Sequence, residues 1–171
     1  AAELVRRHEA FRTTFPAVEG QPVQVIAPET PLTIDTADYR DVFADPAVNA
    51  VVIGTRHDTH ASLVIEALGA GKNVFVEKPL CLSEEELGEV SLAYTTAAQR
   101  GLRLVVGFNR RYSEHGRQAR EFFAGRREPL VMLYRVNAGA IPPGHWAQDM
   151  AAGGGRIIGE GCHFIDFMQF V

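Results

Sequence analysis

The chain has 171 residues, of which 46% are hydrophobic and 22% are charged, and its net charge is −4 at pH 7. This length suits one ordinary domain, alone or with a piece of another, and the composition is typical of a soluble globular protein. Basic residues do not cluster and no apolar run approaches the roughly 20 residues that span a bilayer, which argues against nucleic acid or a membrane as a partner. Two cysteines, Cys81 and Cys162, cannot make a disulfide framework, so we expect a cytoplasmic protein, and no Cys/His spacing predicts a metal site.

The first 35 residues predict a helix, a turn and a strand. Apolar residues at helical spacing within residues 3–15 indicate the helix, and Pro16 ends it. Residues 18–22, which include glycine and proline, predict the turn, and residues 23–26 predict the strand. The charged residues of this segment are interpreted as a solvated helix face, so no chemistry is expected of it.

Strands and helices alternate in the middle of the chain. Residues 48–53, 72–76 and 104–108 are apolar runs of strand length. A helix over residues 60–70 separates the first two runs, and a helix that begins after Ser83 separates the last two. Strand, helix, strand, helix, strand at this spacing indicates βαβ units, so the predicted fold class is α/β with a parallel sheet.

Polar residues follow each of the three predicted strands. Right-handed crossovers place the carboxyl ends of parallel strands at one edge of a sheet, so we expect Thr55, Lys78 and Asn109 to meet there. Such sheets bind their ligands at that edge. Lys78 directly follows Glu77, and the plain interpretation of these two residues is a solvated ion pair at a strand end. The agreement between three strand ends favours a ligand crevice instead.

The end of the chain predicts the start of a second domain. A loosely alternating run at residues 130–138 suits a strand that opens an α+β domain. The triple glycine at residues 153–155 would let the backbone approach a ligand closely before a helix starts. On that helix Glu160 and His163 are three residues apart and share one face, and a histidine titrates near neutral pH, as proton transfer from a sugar hydroxyl requires. The alternative is a histidine that is only hydrogen-bonded at a domain junction, and Trp146 is interpreted as a packing residue.

Three motifs together resemble the Gfo/Idh/MocA family of oxidoreductases, which use NAD or NADP on sugars and polyols. They are Glu-Lys-Pro at residues 77–79, Gly-Phe-Asn-Arg-Arg-Tyr at residues 107–112, and the triple glycine followed by Gly-Cys-His-Phe-Ile-Asp at residues 161–166. The resemblance covers residues 38–171. The residues of its last motif, at positions 159–166, are similar to those of the subgroup fused to zinc-type alcohol dehydrogenases. It implies an incomplete Rossmann-like parallel sheet followed by the start of an α+β substrate domain. It also implies hydride transfer between a sugar or polyol CH–OH group and NAD(P).

The same resemblance assigns residues to the cofactor. It places the strand-end threonine and the helix-start histidine along the diphosphate and ribose, the Glu-Lys-Pro motif beside the nicotinamide ribose, and the Asn-Arg-Arg motif near the nicotinamide. The cofactor-binding residues implied in this way are Gly54, Thr55, His60, Glu77, Lys78, Pro79, Asn109 and Arg111.

The resemblance assigns catalysis to Lys78 and His163. Lys78 would reach the substrate hydroxyl, and His163 matches the catalytic histidine. The family usually has an aspartate four residues before that histidine, and here Gly159 stands in its place, so we expect Glu160 to supply the carboxylate. No metal ligand is implied. The partner is a small-molecule sugar or polyol-like substrate, and a homo-oligomer is left open.

The first segment resembles a different family. Residues 4–15, Leu-Val-Arg-Arg-His-Glu-Ala-Phe-Arg-Thr-Thr-Phe, are similar to a signature of condensation domains in nonribosomal peptide synthetases, and residues 19–26 match the next stretch of those domains. That family's catalytic motif, a His-His pair followed by Asp-Gly, is absent, so we expect no acyl-condensing activity. We therefore divide the chain into a condensation-domain-like segment at residues 1–35, a partial dinucleotide-binding domain at residues 36–126 and the start of a substrate domain at residues 127–171.

One element of a dinucleotide-binding fold is missing from the sequence. The Gly-x-Gly-x-x-Gly turn that meets the cofactor's diphosphate is absent, and Gly20 is the only glycine before Gly54. We therefore expect a chimeric or truncated gene product that is joined within residues 33–38 and has weak or no cofactor affinity. Two functions stay open: an NAD(P)-dependent oxidoreductase, and a non-catalytic remnant or interaction module. The choice between NAD and NADP also stays open, because the deciding acidic residue belongs to the missing strand.

Overall fold

The computed structural model describes residues 13–14, 16–28 and 36–171. These residues belong to two compact units, residues 1–39 and residues 40–171. No helix within the described ranges is both long enough and apolar enough to cross a membrane.

The first unit contains two short antiparallel ladders. β1 (Thr13–Thr14) pairs with β4 (Val25–Ile26), and β2 (Ala17–Val18) pairs with β3 (Gln21–Pro22). The two residues between β2 and β3 have positive φ values of 52° and 78°, as a tight hairpin turn requires.

These ladders confirm part of what the sequence predicts for the segment. The turn predicted at residues 18–22 is confirmed, and the strand predicted at residues 23–26 is confirmed for its last two residues. The helix predicted over residues 3–15 is wrong at Thr13 and Thr14, which pair as a strand, in keeping with the strand preference of β-branched side chains. The rest of that helix lies outside the described residues.

A three-stranded parallel sheet forms the centre of the second unit. Its strands are β5 (Ala50–Ile53), β6 (Asn73–Val76) and β7 (Leu104–Val106), with β6 in the middle. α2 (His60–Gly69) connects β5 to β6, and α3 (Glu84–Gln99) connects β6 to β7. The predicted α/β fold class, with a Rossmann-like parallel sheet, is therefore confirmed.

Local chemistry fixes the ends of the connecting helices. The side chain of Ser83 accepts a hydrogen bond from the backbone N–H of Glu86 at 3.1 Å and so caps α3, as predicted. The first turn of α3 also carries three glutamates, which favour the positive end of the helix dipole. Gly71 follows α2 with a φ of 81°, a left-handed conformation that glycine adopts at little cost.

The hydrophobic core lies on one face of the sheet, between the strands and the two connecting helices. On the opposite face Val52, Phe75 and Val105 stand side by side in register, and Val52 is 77% exposed. α1 (Tyr39–Ala44) precedes the sheet and adds Phe43 to the rim of the core. Full burial of each large core side chain contributes about 1.5–3 kcal/mol. The largest contributors are Ile53, Val64, Leu68, Val74, Val76 and Val90.

Beyond the sheet the chain is partly helical and partly irregular. α4 (Glu114–Phe123) follows β7, and a π-helical turn (Ile157–Gly161) leads into α5 (Cys162–Phe170). The strand predicted over residues 130–138 is wrong, because these residues form neither strand nor helix and Val131 is 95% exposed. The described part of the chain places no neighbouring strand beside them, and a lone strand leaves its backbone groups without ladder partners.

Candidate active site

The three strand ends form one edge of the sheet. The last residues of β5, β6 and β7 are paired in register, so the chain leaves the sheet at the same end after each strand. Backbone hydrogen bonding continues one step further, where the N–H of Glu77 donates to the carbonyl oxygen of Ile53 at 2.8 Å. The predicted meeting of Thr55, Lys78 and Asn109 at one edge is therefore confirmed.

Gly54, Thr55 and Asn109 lie on the open side of this edge. All three residues are exposed, and a Cβ at Gly54 would have no atom within 4 Å. The Thr55 hydroxyl donates to Oγ1 of Thr59 at 2.6 Å, since Thr59 uses its own hydrogen on the carbonyl oxygen of Arg56. Open space next to a glycine and two exposed polar side chains allow a ligand to approach the backbone closely.

Lys78 turns away from Glu77. Its Nζ donates to the carbonyl oxygen of Gly159 at 2.5 Å, whereas the Glu77 side chain lies over Gly107. Neither charge has an ion-pair partner among the residues that the structure describes. The plain interpretation of an ion pair between Glu77 and Lys78 is therefore wrong. Lys78 is half-buried and keeps two of its three N–H donors for another group.

His60 and Pro79 support the edge from behind. His60 is 0% exposed, and its Nδ1 lies 2.7 Å from the carbonyl oxygen of Pro79 while its Nε2 lies 3.1 Å from that of Thr55. Pro79 is also buried and follows a cis peptide bond from Lys78. The structure thus differs from the expectation that both residues touch the cofactor: with no exposed ring atom, His60 positions the backbone of its neighbours instead.

A cavity of about 380 Å³ lies at this edge, within the size range of small-molecule sites. It brings together the three residues predicted to be catalytic, although Lys78 is about 80 residues from the other two in sequence. Two histidines, three cationic side chains, one carboxylate and one indole line it. These residues are His57, Lys78, Arg110, Trp146, Arg156, Glu160 and His163.

His163 is a neutral base within this group. Its Nδ1 is buried and has no hydrogen-bond partner in the described ranges. Burial lowers the pKa of His163 below its ordinary value of 6.5, and the positive charges of Lys78 and Arg110 lower the pKa further. The carboxylates of Glu77 and Asp166 oppose this shift more weakly. The imidazole therefore stays unprotonated at neutral pH and can accept a proton.

Glu160 pairs with a different residue from the one expected. Its carboxylate lies 3.0 Å from the guanidinium of Arg156, four residues earlier. The π-helical turn at Ile157–Gly161 changes the angular spacing between Glu160 and His163, so the spacing rule that placed them on one α-helical face does not apply. The predicted Glu160–His163 pair is therefore wrong, although both residues line the cavity.

Arg111 braces a helix, and its neighbour Arg110 lines the cavity. Nε of Arg111 donates to Oδ2 of Asp166 at 2.6 Å, and Nη2 of Arg111 donates to Oδ1 of the same carboxylate. These hydrogen bonds raise the pKa of Arg111 and tie the 3-10 turn at Asn109–Tyr112 to α5. Of the two adjacent arginines, Arg110 lines the cavity and Arg111 does not, and the expectation that Arg111 lies near the nicotinamide stays a prediction. The sequence shows two adjacent arginines, and only the turn geometry decides between them.

His57 holds one wall of the cavity, a role that no motif in the sequence signals. Its Nδ1 donates to the carbonyl oxygen of Gly153 at 2.8 Å, and its ring meets Trp146 edge-on at 4.8 Å between centroids. A Cβ on Gly153 would lie 2.5 Å from Cα of Ala147, and a Cβ on Gly159 would lie 2.9 Å from the oxygen of Gly153. Gly153 and Gly159 thus admit the protein's own backbone, whereas Gly155 lines the cavity, and for Gly155 the expected close approach to a ligand stays a prediction. Burial lowers the pKa of His57.

The residues at this edge fit one end of a dinucleotide and not the other. The exposed Gly54, Thr55 and Asn109 suit a ribose and a nicotinamide ring, and Lys78 adds the N–H donors that Gly159 does not use. No Gly-x-Gly-x-x-Gly occurs anywhere in the 171 residues, so the helix-end cradle for a diphosphate is not in the sequence. The described edge therefore offers polar groups of the kind that a nicotinamide and its ribose need, and the sequence offers no glycine-rich turn to a diphosphate.

Comparison with known sequences identifies oxidoreductases. The sequence model of GFO_IDH_MocA, described as an oxidoreductase family with an NAD-binding Rossmann fold, matches residues 13–108. The uncharacterised oxidoreductase YrbE of Bacillus subtilis is 39% identical over 136 residues, which are 80% of this chain and 39% of that protein. The NAD⁺-dependent scyllo-inositol 2-dehydrogenase of Bacillus subtilis is 38% identical over 136 residues, which are 78% of this chain and 38% of that protein.

Solved structures agree with the sequence comparison. The crystal structure of an oxidoreductase domain protein from Kribbella flavida has a TM-score of 0.68 at 33% identity, and the match covers 78% of this chain and 38% of that one. The chain thus spans about two fifths of the length of the relatives it matches. Since the family match takes in more than half of the chain and the sheet is parallel, the chain belongs to the Gfo/Idh/MocA family of NAD-binding oxidoreductases.

Proposed function

We propose that the chain forms the nicotinamide and substrate side of an NAD(P)-dependent oxidoreductase that acts on a CH–OH group of a sugar or polyol. The observation that carries this proposal is the cavity at the carboxyl edge of the parallel sheet, where Lys78 lies with the neutral His163. The scyllo-inositol 2-dehydrogenase among the relatives supports a polyol as the small-molecule substrate.

The two catalytic residues take complementary roles. His163 accepts the proton of the substrate hydroxyl, because its side chain lines the cavity and its imidazole is neutral near pH 7. Lys78 donates to the same hydroxyl oxygen through the N–H groups that Gly159 leaves free, and so stabilises the negative charge that develops there.

The cofactor would contact the exposed residues that follow the strands. These are Gly54, Thr55, Glu77 and Asn109, whereas the buried His60 and Pro79 and the paired Arg111 hold the backbone and α5 behind them. A bound nicotinamide would supply the hydride acceptor. The protein's part is to orient the alcohol and to hold its proton.

A second function is favoured by the missing glycine-rich turn. Without that turn the chain is a non-catalytic remnant or an interaction module that binds no cofactor. Isothermal titration calorimetry of the purified chain with NAD and with NADP separates the two functions. A dissociation constant in the micromolar range rejects the remnant, and no binding at millimolar cofactor rejects the oxidoreductase. Thr55→Val is expected to weaken binding, and Thr95→Val, on the exposed side of α3, is the matched control.

We further propose that residues 1–35 derive from a condensation domain and that the two parts of the chain join within residues 33–38. The signature at residues 4–15 supports this origin, and the family match that begins at residue 13 weighs against it. Sequencing the gene on both sides of this junction tests the proposal. An intact upstream frame that encodes Gly-x-Gly-x-x-Gly rejects the chimera, and the downstream frame shows whether it encodes a zinc-type alcohol dehydrogenase half.

A further inference from the structure

Two arginines line the cavity, and only one of them is paired with a carboxylate. Arg111 binds Asp166, Arg156 lies 3.0 Å from Glu160, and Arg117 of α4 lies 2.8 Å from a glutamate of its own helix. Arg110 has no carboxylate partner among the residues that the structure describes. Its guanidinium lies 5.0 Å from the centre of an aromatic ring of α5, which leaves its N–H donors free.

The backbone fixes Arg110 at the cavity. Its carbonyl oxygen accepts hydrogen bonds from the hydroxyl of Ser113 at 2.8 Å and from the N–H of Ser113 at 3.3 Å. Gly116 packs so closely below that a Cβ there would lie 2.7 Å from the same oxygen. These contacts hold the backbone of the turn, and so fix the point from which the Arg110 side chain reaches the cavity.

The cavity carries an excess of positive charge. The charges of Arg156 and Glu160 cancel because the two residues are paired, and both histidines have lowered pKa values. The ammonium of Lys78 and the guanidinium of Arg110 remain, and both lie near His163, since both depress its pKa. A neutral polyol leaves this charge uncompensated, whereas a carboxylate matches the planar fork of an arginine with two parallel hydrogen bonds.

We propose that the substrate is a polyhydroxylated carboxylate, a sugar acid, whose carboxylate binds Arg110 while its CH–OH group reaches Lys78 and His163. The reaction rests on the proposed function, and the binding rests on the cavity alone. A bound oxidised nicotinamide would take the C–H electron pair as hydride, while the O–H proton passes to His163 and a C=O bond forms. The carboxylate is unchanged and serves to place the reacting carbon.

Trp146 allows binding to be measured without cofactor or turnover. It is the only tryptophan in the chain and it lines the cavity, so its fluorescence reports on occupancy. The full chain is titrated with gluconate and glucuronate and, in parallel, with the uncharged glucose and myo-inositol. We expect saturable binding of the two acids, tighter than that of the neutral compounds by about tenfold or more, which is the contribution of a charge-assisted hydrogen bond.

Matched variants assign the preference to one side chain. Arg110→Gln should remove the tenfold preference, Arg110→Lys should keep part of it, and Arg117→Gln, an exposed arginine outside the cavity, should leave it unchanged. Circular dichroism shows whether each variant is folded. As an independent readout, NMR titration should show the pKa of His163 rising when gluconate binds the parent chain, and no rise in Arg110→Gln.

The outcomes distinguish this proposal from the proposed function. Equal affinity for acids and neutral polyols, no binding of either, or an unchanged preference in Arg110→Gln overturns the sugar-acid proposal. If NAD(P) binds and any of these results is found, the sugar-acid proposal is rejected and the proposed oxidoreductase function is not. Preferential gluconate binding without any NAD(P) binding supports the carboxylate site and rejects the oxidoreductase.

Discussion

Lys78 and Gly159, which are 81 residues apart in sequence, are joined by a 2.5 Å hydrogen bond between the ammonium group of the lysine and the carbonyl oxygen of the glycine. This contact connects the end of a sheet strand to the turn that precedes the His163 helix. It therefore sets where the only lysine of the cavity stands relative to its base.

The first prediction separates the site lysine from a structural one. Lys78→Met should lower kcat by about 10²–10³-fold, because the lysine stabilises the charge on the substrate oxygen. It should lower the urea midpoint less than the loss of a structural lysine does, because half-buried Lys78 makes a single hydrogen bond to the protein. Lys72→Met is the matched comparison, because buried Lys72 donates to the carbonyl oxygens of Asp45 at 2.6 Å and Val48 at 2.7 Å. It should lower the free energy of unfolding by about 1–3 kcal/mol. Equal midpoint losses in the two variants would contradict the separation.

The second prediction concerns the brace between Arg111 and Asp166. Asp166→Asn removes the charge from a buried carboxylate and leaves the guanidinium with weaker partners, so the free energy of unfolding should fall by about 1–3 kcal/mol. Glu114→Gln removes the carboxylate of an exposed pair with Arg117 and should leave the urea midpoint unchanged. Chemical denaturation of both variants is the measurement. A stable Asp166→Asn variant would show that α5 is held by other contacts.

The third prediction is a loss of stability in mild acid. Burial lowers the pKa values of His57 and His163 below 6.5 in the folded chain, so the unfolded chain binds these protons at a higher pH. The free energy of unfolding should therefore fall as the pH drops below about 6.5 and should stop falling once the lowered folded-state pKa values are passed. Urea unfolding at about pH 7.5 and about pH 5.5 measures the loss. His163→Gln should reduce it, and an identical loss in this variant would contradict the assignment.

The fourth prediction tests the close packing of the glycine run. Gly153→Ala forces a methyl group to within 2.5 Å of backbone and should cost about 1–3 kcal/mol of unfolding free energy. It should also change the Trp146 fluorescence, because that residue and Ala147 would have to move. Gly144→Ala is the control, since its Cβ would have no atom within 4 Å. Equal stability of the two variants would mean that the cavity wall adapts at no cost.

The fold could be predicted because its signals are local. The three apolar runs, the Ser83 cap and the polar residues after each strand depend on neighbours in sequence, and the parallel order follows from helices of crossover length. The strand expected at residues 130–138 fails for the opposite reason. Its alternation is weak, and strand formation depends on a neighbouring strand that the described chain does not place there.

The site could be predicted in composition and not in detail. Lys78 and His163 follow from their motifs, whereas the choice of Arg110 over Arg111 depends on how a 3-10 turn rotates its side chains toward or away from α5. The pairing of Glu160 with Arg156 depends on a π-helical turn, which alters the spacing that an α-helix would impose. The role of His57 depends on its hydrogen bond to Gly153, a contact between distant residues that no local pattern in the sequence indicates.

The hydrogen bond from His57 to Gly153 closes a loop of 96 residues, and this separation has a consequence for the order of folding. Contacts between distant residues form late because the chain entropy of the loop opposes them, so the sheet with α2 and α3 assembles before the cavity wall docks. The same wall is then the first part to open under native conditions, and the amide of Gly159 should exchange its hydrogen faster than those of β6. A ligand that contacts both Lys78 and Trp146 would hold this wall against the sheet, and would therefore stabilise the folded chain as well as fill the cavity.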